Sequence, residues 1–156
     1  MNLLLHKSEH VEFYTYLDSL FDACGELREY EYLITDLEVS YSTDQRLHQD
    51  VVTISGEELY EIIKKESVQF IWGVFSAYNK APLMVRNLPY ADGNRQLWEG
   101  SPSPQANGAL FEIVAWDSGC TLFIGLSDSI AKTLKELYPD IKNLDIENEL
   151  RTNKSH

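Results

Sequence analysis

The stretch Ala109–Leu126, ALFEIVAWDSGCTLFIGL, constrains what this chain can fold into more than any other. Two apolar runs flank Asp117-Ser118-Gly119, and a three-residue connection ending in Gly suits a type I turn closed by a left-handed residue. In the first run Ala109, Phe111, Ile113 and Ala115 share one face. Leu110, Val114 and Trp116 share the other, and Glu112 is the only charge. The return run is apolar on both faces too, with Leu122, Ile124 and Leu126 set against Phe123. Strands of this kind lie in the middle of a sheet, with cover on both sides or with a partner on one.

Other elements fall into place around this hairpin. Met1–His6 suits a short first strand. Ser8 offers an N-cap, and Val11, Tyr14, Leu17, Leu20, Phe21 and Cys24 recur at helical spacing, so a helix is expected over 8–24 with Gly25 as its left-handed stop. Residues 28–39 alternate and read as a half-exposed strand, and 51–54 as a short one. Ser55 and Glu58 form a capping box for a helix from about Gly56 to Glu66. Residues 68–77, β-branched and aromatic, read as a central strand. Short strands are expected at 84–88 and 96–98, and a mobile surface loop at 100–108. Ser127 or Asp128 caps a further helix stopped by Pro139. Ile141, Leu144 and Ile146 suggest a last strand before a tail that frays from about residue 150. Strands follow one another through hairpins as often as through helices. The expected fold is α+β, a largely antiparallel sheet with the central hairpin 109–126 and three helices packed on it.

A chain of 156 residues with 44% apolar content has enough core for one domain over 1–156. No run of apolar residues is long enough to span a bilayer, and MNLLLHK has no cleavage site, so a cytoplasmic protein without membrane contact is expected. Cys24 and Cys120, both in apolar runs, read as reduced, buried thiols, with contact between them left open. Net charge is −12 and unevenly spread: residues 1–66 hold 15 acids against 5 bases, whereas 67–108 hold 2 against 3. An acidic surface of this kind serves solubility; it also repels nucleic acid, which needs a basic stripe, and attracts a basic partner.

Catalytic patterns are few. His6-Lys7-Ser8-Glu9-His10 spells H-x-x-E-H, the spacing with which a helix presents two imidazoles to zinc beside a general base. It works only if both His lie on one helix, and an N-cap at Ser8 leaves His6 outside. A metal-dependent hydrolase using this segment is therefore the alternative reading rather than the main one. Ser118 sits at a hairpin turn, not on a strand-to-helix elbow, and Cys120, which could approach a His in space, reads as a packed thiol. No glycine pattern cradles phosphate, and no cofactor is expected. The acids of 29–31 and 57–61 lie on solvent faces, where carboxylates keep ordinary pKa values and do no acid–base work. A third reading is a structural or regulatory domain that self-associates through an open sheet edge.

The stretches ISGEELYEIIKKESVQFIWGVFSAY (54–78) and DIENELRT (145–152), with the hairpin between them, resemble an uncharacterised family of small Bacillus-type bacterial proteins. That resemblance implies no activity and no site residues. In size and charge the chain also resembles the immunity proteins encoded beside bacterial polymorphic toxins. This implies a non-catalytic protein that occludes a basic toxin domain, such as a nuclease. The rigid, acidic and aromatic strand 28–39 is the expected docking face, through Glu29, Tyr30, Glu31, Tyr32, Asp36 and Glu38, with Asp18 and Asp22 extending the field. Alternation turns half of the strand residues inward.

Overall fold

A computed structural model describes residues 1–6 and 15–156. In chain order the elements are β1 (Leu3–His6), α1 (Asp18–Ala23), β2 (Glu31–Val39), β3 (Val51–Ser55), α2 (Gly56–Glu66), β4 (Phe70–Tyr78), β5 (Phe111–Trp116), β6 (Cys120–Ile124), α3 (Asp128–Leu137), β7 (Lys142–Asn143) and α4 (Leu144–Lys154). Short 3-10 turns occupy Gly25–Glu29, Gln45–His48 and Arg95–Trp98. The strands form one sheet in the order β3-β2-β4-β5-β6-β1-β7, with every neighbouring pair antiparallel. This is the expected α+β arrangement, and the hairpin β5–β6 lies in its middle.

Both faces of the sheet are covered, which is why the central strands are apolar on both sides. One face buries Leu3, Tyr32, Ile34, Phe75, Phe111, Ile113 and Phe123 against Phe21 of α1, Leu59 and Ile63 of α2, and Ile130 and Leu134 of α3. The other buries Leu4, Val74, Val114, Leu122 and Ile124 beneath Leu97 and Ala91 of the β4–β5 connection and Leu144 of α4. Two of the helix starts follow the expected capping chemistry. Ser55 Oγ accepts a hydrogen bond from the Glu58 amide at α2, and Ser127 Oγ accepts one from the Ile130 amide at α3. Gly56 is required by a close approach, because a Cβ there would lie 2.5 Å from the Arg28 carbonyl oxygen.

Several expectations are corrected. The first helix begins at Asp18: Thr15 has φ +71° and Tyr16 bridges Gln69, so neither is helical, and the expected cap at Ser8 lies outside the described residues. Gly25 opens a 3-10 turn and has no positive φ. In the central hairpin Asp117 and Ser118, not Gly119, take positive φ, as a type I′ turn requires. Residues 84–88 form no strand, and 95–98 are a 3-10 turn. In the C-terminal segment the expected last strand is only the two residues of β7, and a fourth helix among the described residues, α4, takes up Leu144 onward, including the part expected to fray. Asn143 Oδ1 accepts from the Ile146 amide, acids fill the first turn of α4, and Arg151 and Lys154 fill the last. Cys24 and Cys120 are both free and belong to opposite faces of the sheet.

Candidate protein-binding surfaces

Helices α1 and α2 and the 25–29 turn pack on one another, so acids far apart in sequence share a surface. Asp18 and Asp22 come from α1, Glu26 and Glu29 from the turn, and Glu57, Glu58 and Glu61 from α2. Tyrosines are set among them. The Tyr30 ring meets Phe111 edge-on at 5.0 Å between centroids, and its hydroxyl donates to Glu26 Oε1 at 3.3 Å. The Tyr60 hydroxyl donates to Asp22 Oδ1, and the Arg28 guanidinium stacks 4.4 Å from the Tyr60 ring centre. Lys64 Nζ lies 2.7 Å from Asp22 Oδ2. The hydrogen bonds from Lys64 and then Tyr60 hold the Asp22 carboxyl below the usual carboxylate range.

Asp18, Asp22, Glu29, Tyr30 and Glu31 lie on or beside this surface, all at least partly accessible. Three other expected residues do not join it. Tyr32 is fully buried, its hydroxyl donating to the Leu27 carbonyl at 2.6 Å, because Tyr32 and Ile34 are the set that turns toward the helices. Burial pushes its phenol well above the ordinary value. Asp36 adopts φ +51°, and its Oδ2 accepts from the Ala91 and Asp92 amides at 2.8 and 2.9 Å, which commits it to the opposite face. Glu38 is exposed, but it pairs with Trp72 beyond an irregularity in the β2–β4 register. Tyr60 and the α2 acids were the residues sequence reasoning missed. Their outward positions follow from helical periodicity, but the packing of α2 beside α1 does not.

The opposite face is covered by the β4–β5 connection, residues 79–110, which polar side chains fasten to the sheet. Thr35 Oγ1 donates to the Pro89 carbonyl at 2.8 Å, beside the two Asp36 bonds. Gln105 Oε1 accepts from the Tyr90 amide and from Asn94 Nδ2, and Asn2 Nδ2 donates to the Pro102 carbonyl. Glu112, the one charge of the central strand, is fully buried. Its Oε1 accepts from Ser76 Oγ at 3.0 Å and from the Ala106 amide at 2.8 Å, and Oε2 has no hydrogen-bond partner. Desolvation pushes this carboxyl above its ordinary range despite those bonds and one from the Gln105 amide. The segment 100–108, expected as a mobile loop, is thus tied down at Pro102, Gln105 and Ala106.

Catalytic geometry can be weighed directly at Cys120. It stands opposite His6 across the β1–β6 pair, an approach to a His that the sequence left open beside the favoured reading of a packed thiol. Burial, the largest influence, pushes the thiol up to about 12, so it is not a thiolate nucleophile near neutral pH. His6 is shifted down, chiefly by burial and then by Lys142. It lies at the end of β1, whereas Glu9 and His10 of the H-x-x-E-H segment are outside the described residues. Among the described residues, no group of three or more His, Cys, Asp or Glu is placed to hold a metal. No described helix is long and apolar enough to cross a membrane. At the sheet edge, β3 pairs with β2 alone among the described residues and exposes Val51 and Thr53.

Searches against protein families, characterised proteins and solved structures found no match to this chain.

Proposed function

We propose that this chain is a non-catalytic protein-binding module of the immunity type, which neutralises a basic bacterial toxin domain in the cytoplasm by covering its working surface. The observation that carries this reading is the acidic surface of α1, α2 and the 25–29 turn with tyrosines held inside it. Tyr30 and Tyr60 are anchored through Glu26 and Asp22, so each aromatic ring has a fixed orientation before any partner arrives. Binding then costs little side-chain ordering, roughly 0.5–1.5 kcal/mol being saved for each group already held. The acids supply the field that speeds encounter with a basic surface. Two free, buried thiols suit a reducing compartment.

The direct experiment is co-purification with the product of an adjacent reading frame, followed by association kinetics. Charge reversal through Glu29→Lys with Glu58→Lys, both exposed in the free protein, is expected to slow association at least tenfold at low salt. The dissociation rate and thermal midpoint are expected to change little. A partner that is not basic, or a double variant that associates at the wild-type rate at low salt, would overturn the proposal.

A further inference from the structure

The acidic surface leaves the other side of the molecule with a different character. Between Glu66 and Asp92 the chain contains no Asp or Glu, only Lys80 and Arg86. The same stretch holds the two most exposed large apolar side chains among the described residues, Leu83 at 105% and Met84 at 75%, and Leu88 and Tyr90 are each about half exposed. Two adjoining clefts open along it, of about 420 and 300 Å³, and both are lined by Asn87 and Gln105. Leu88 and Tyr90 line the larger cleft, Met84 and Arg86 the smaller. Arg86 is the only charged residue on either lining, and it makes no ion pair among the described residues.

A loop that displays apolar side chains usually has to be ordered when something binds it, and the 89–92 end of this one is held already. Asp36 holds the Ala91 and Asp92 amides, Thr35 holds the Pro89 carbonyl, and Gln105 holds both polar backbone groups of Tyr90. We propose that this groove docks an extended acidic–apolar segment of a partner protein. Apolar side chains of the segment lie against Leu88 and Tyr90, its backbone meets the side-chain amide of Asn87, and one carboxylate pairs with Arg86. Charge decides the choice of occupant. A basic partner is drawn to the helical face, whereas the acid-free stretch with Lys80 and Arg86 favours an acidic one. A concave lining rich in amides, from Asn87, Asn94, Gln96, Gln105 and Asn107, fits a peptide better than a membrane surface. Docking of a second copy through its own acidic face would be heterologous and leave an open chain. This groove is independent of the toxin-binding reading and uses a separate surface.

Arrays of decapeptides carrying Asp or Glu with Leu, Phe or Tyr, and matched arrays with Lys in place of the acids, test the proposal on the full chain. The strongest sequences are then measured by fluorescence anisotropy. Acidic peptides are expected to bind at least tenfold more tightly than their Lys counterparts. Arg86→Glu and Leu88→Asp are each expected to weaken that binding at least tenfold with an unchanged thermal midpoint. The Glu29→Lys/Glu58→Lys protein should bind the peptides as wild type does, which separates this test from the previous one. Equal binding of acidic and Lys peptides, or wild-type affinity in Arg86→Glu, would overturn it. So would binding to phosphatidylserine–phosphatidylcholine vesicles in place of peptides, or sedimentation showing self-association abolished by Leu83→Asp.

Discussion

Glu112 provides the sharpest test of the physical account. Its carboxyl is fully buried, and Oε1 receives hydrogen bonds from Ser76 and Ala106 while Oε2 receives none. Replacement by Ala strands those donors in the interior, at about 1–3 kcal/mol for each one left unpaired. Partial relaxation of the 102–107 segment brings the expected loss to about 3 kcal/mol. Glu112→Gln behaves differently, since the amide oxygen still accepts from Ala106 and Ser76 but no charge is buried. Because burial raises the folded-state pKa above the ordinary Glu value, the folded protein keeps this proton to higher pH than the unfolded chain. Wild type therefore loses stability as pH rises from about 4.5 through the raised pKa, by about 1.4 kcal/mol for each unit of elevation. Asp22, Asp44 and Glu66 have lowered values and give the opposite slope at lower pH, but they are common to both proteins and cancel in the comparison. Urea unfolding of wild type and Glu112→Gln at pH 4.5 and 7.5 measures the effect. Glu112→Gln should gain on wild type as the pH rises. A stability gap that is the same at both pH values would refute the reasoning.

Other positions give simpler outcomes. Gly56→Ala places a Cβ 2.5–2.8 Å from three backbone atoms of Arg28 and should cost about 3 kcal/mol by urea unfolding, and a loss below 1 kcal/mol would show that α2 can shift. Asn2 joins three segments, donating to the Pro102 carbonyl and Asp145 Oδ1 and accepting from the Gly125 amide, all within 2.9 Å. Asn2→Ala should cost about 2–3 kcal/mol, again read from the urea midpoint. Cys120, held at about 12, and Cys24, also raised, should react with an aromatic disulfide reagent at pH 8 only after unfolding. Rapid modification of either thiol in the native protein would contradict their burial.

What was legible in the sequence is what local chemistry controls. Ser55 and Glu58 bracket the start of α2, and its apolar positions repeat at helical spacing, so the expected bounds match those observed. The hairpin was visible because apolar residues on both faces of a strand leave it nowhere but the middle of a sheet. Helix α4 was misread because Leu144 and Ile146 alternate like strand residues close after Ile141, although Asn143 followed by Asp145 carried a capping signal. The left-handed turn of Asp36 has no local signature, since its amide partners arrive from the 91–92 segment. The same holds for the 100–108 segment. Its tethers are Asn2 and Glu112, one of them at the opposite end of the chain. Of the expected docking residues, Asp18, Asp22 and Glu29 take their exposure from a helix or turn, whereas the positions of Tyr32 and Asp36 are decided by tertiary contacts.

The position of β1 governs the order in which the sheet can be completed. It sits between β6 and β7, with Leu3 opposite Phe123 on one side and Asn143 on the other. A ribosome makes Leu3, Leu4 and Leu5 well ahead of their partners, which follow more than a hundred residues later. At roughly 5–20 residues per second, these three leucines emerge on the order of ten seconds before β6 exists. The strands β2, β3 and β4 can pair among themselves during that interval, but β1 has neither of its strand partners. Closure over so long a separation is also the entropically slowest kind of contact. The nascent chain thus carries an unpaired apolar strand until most of the sheet has formed, and β1 is inserted late.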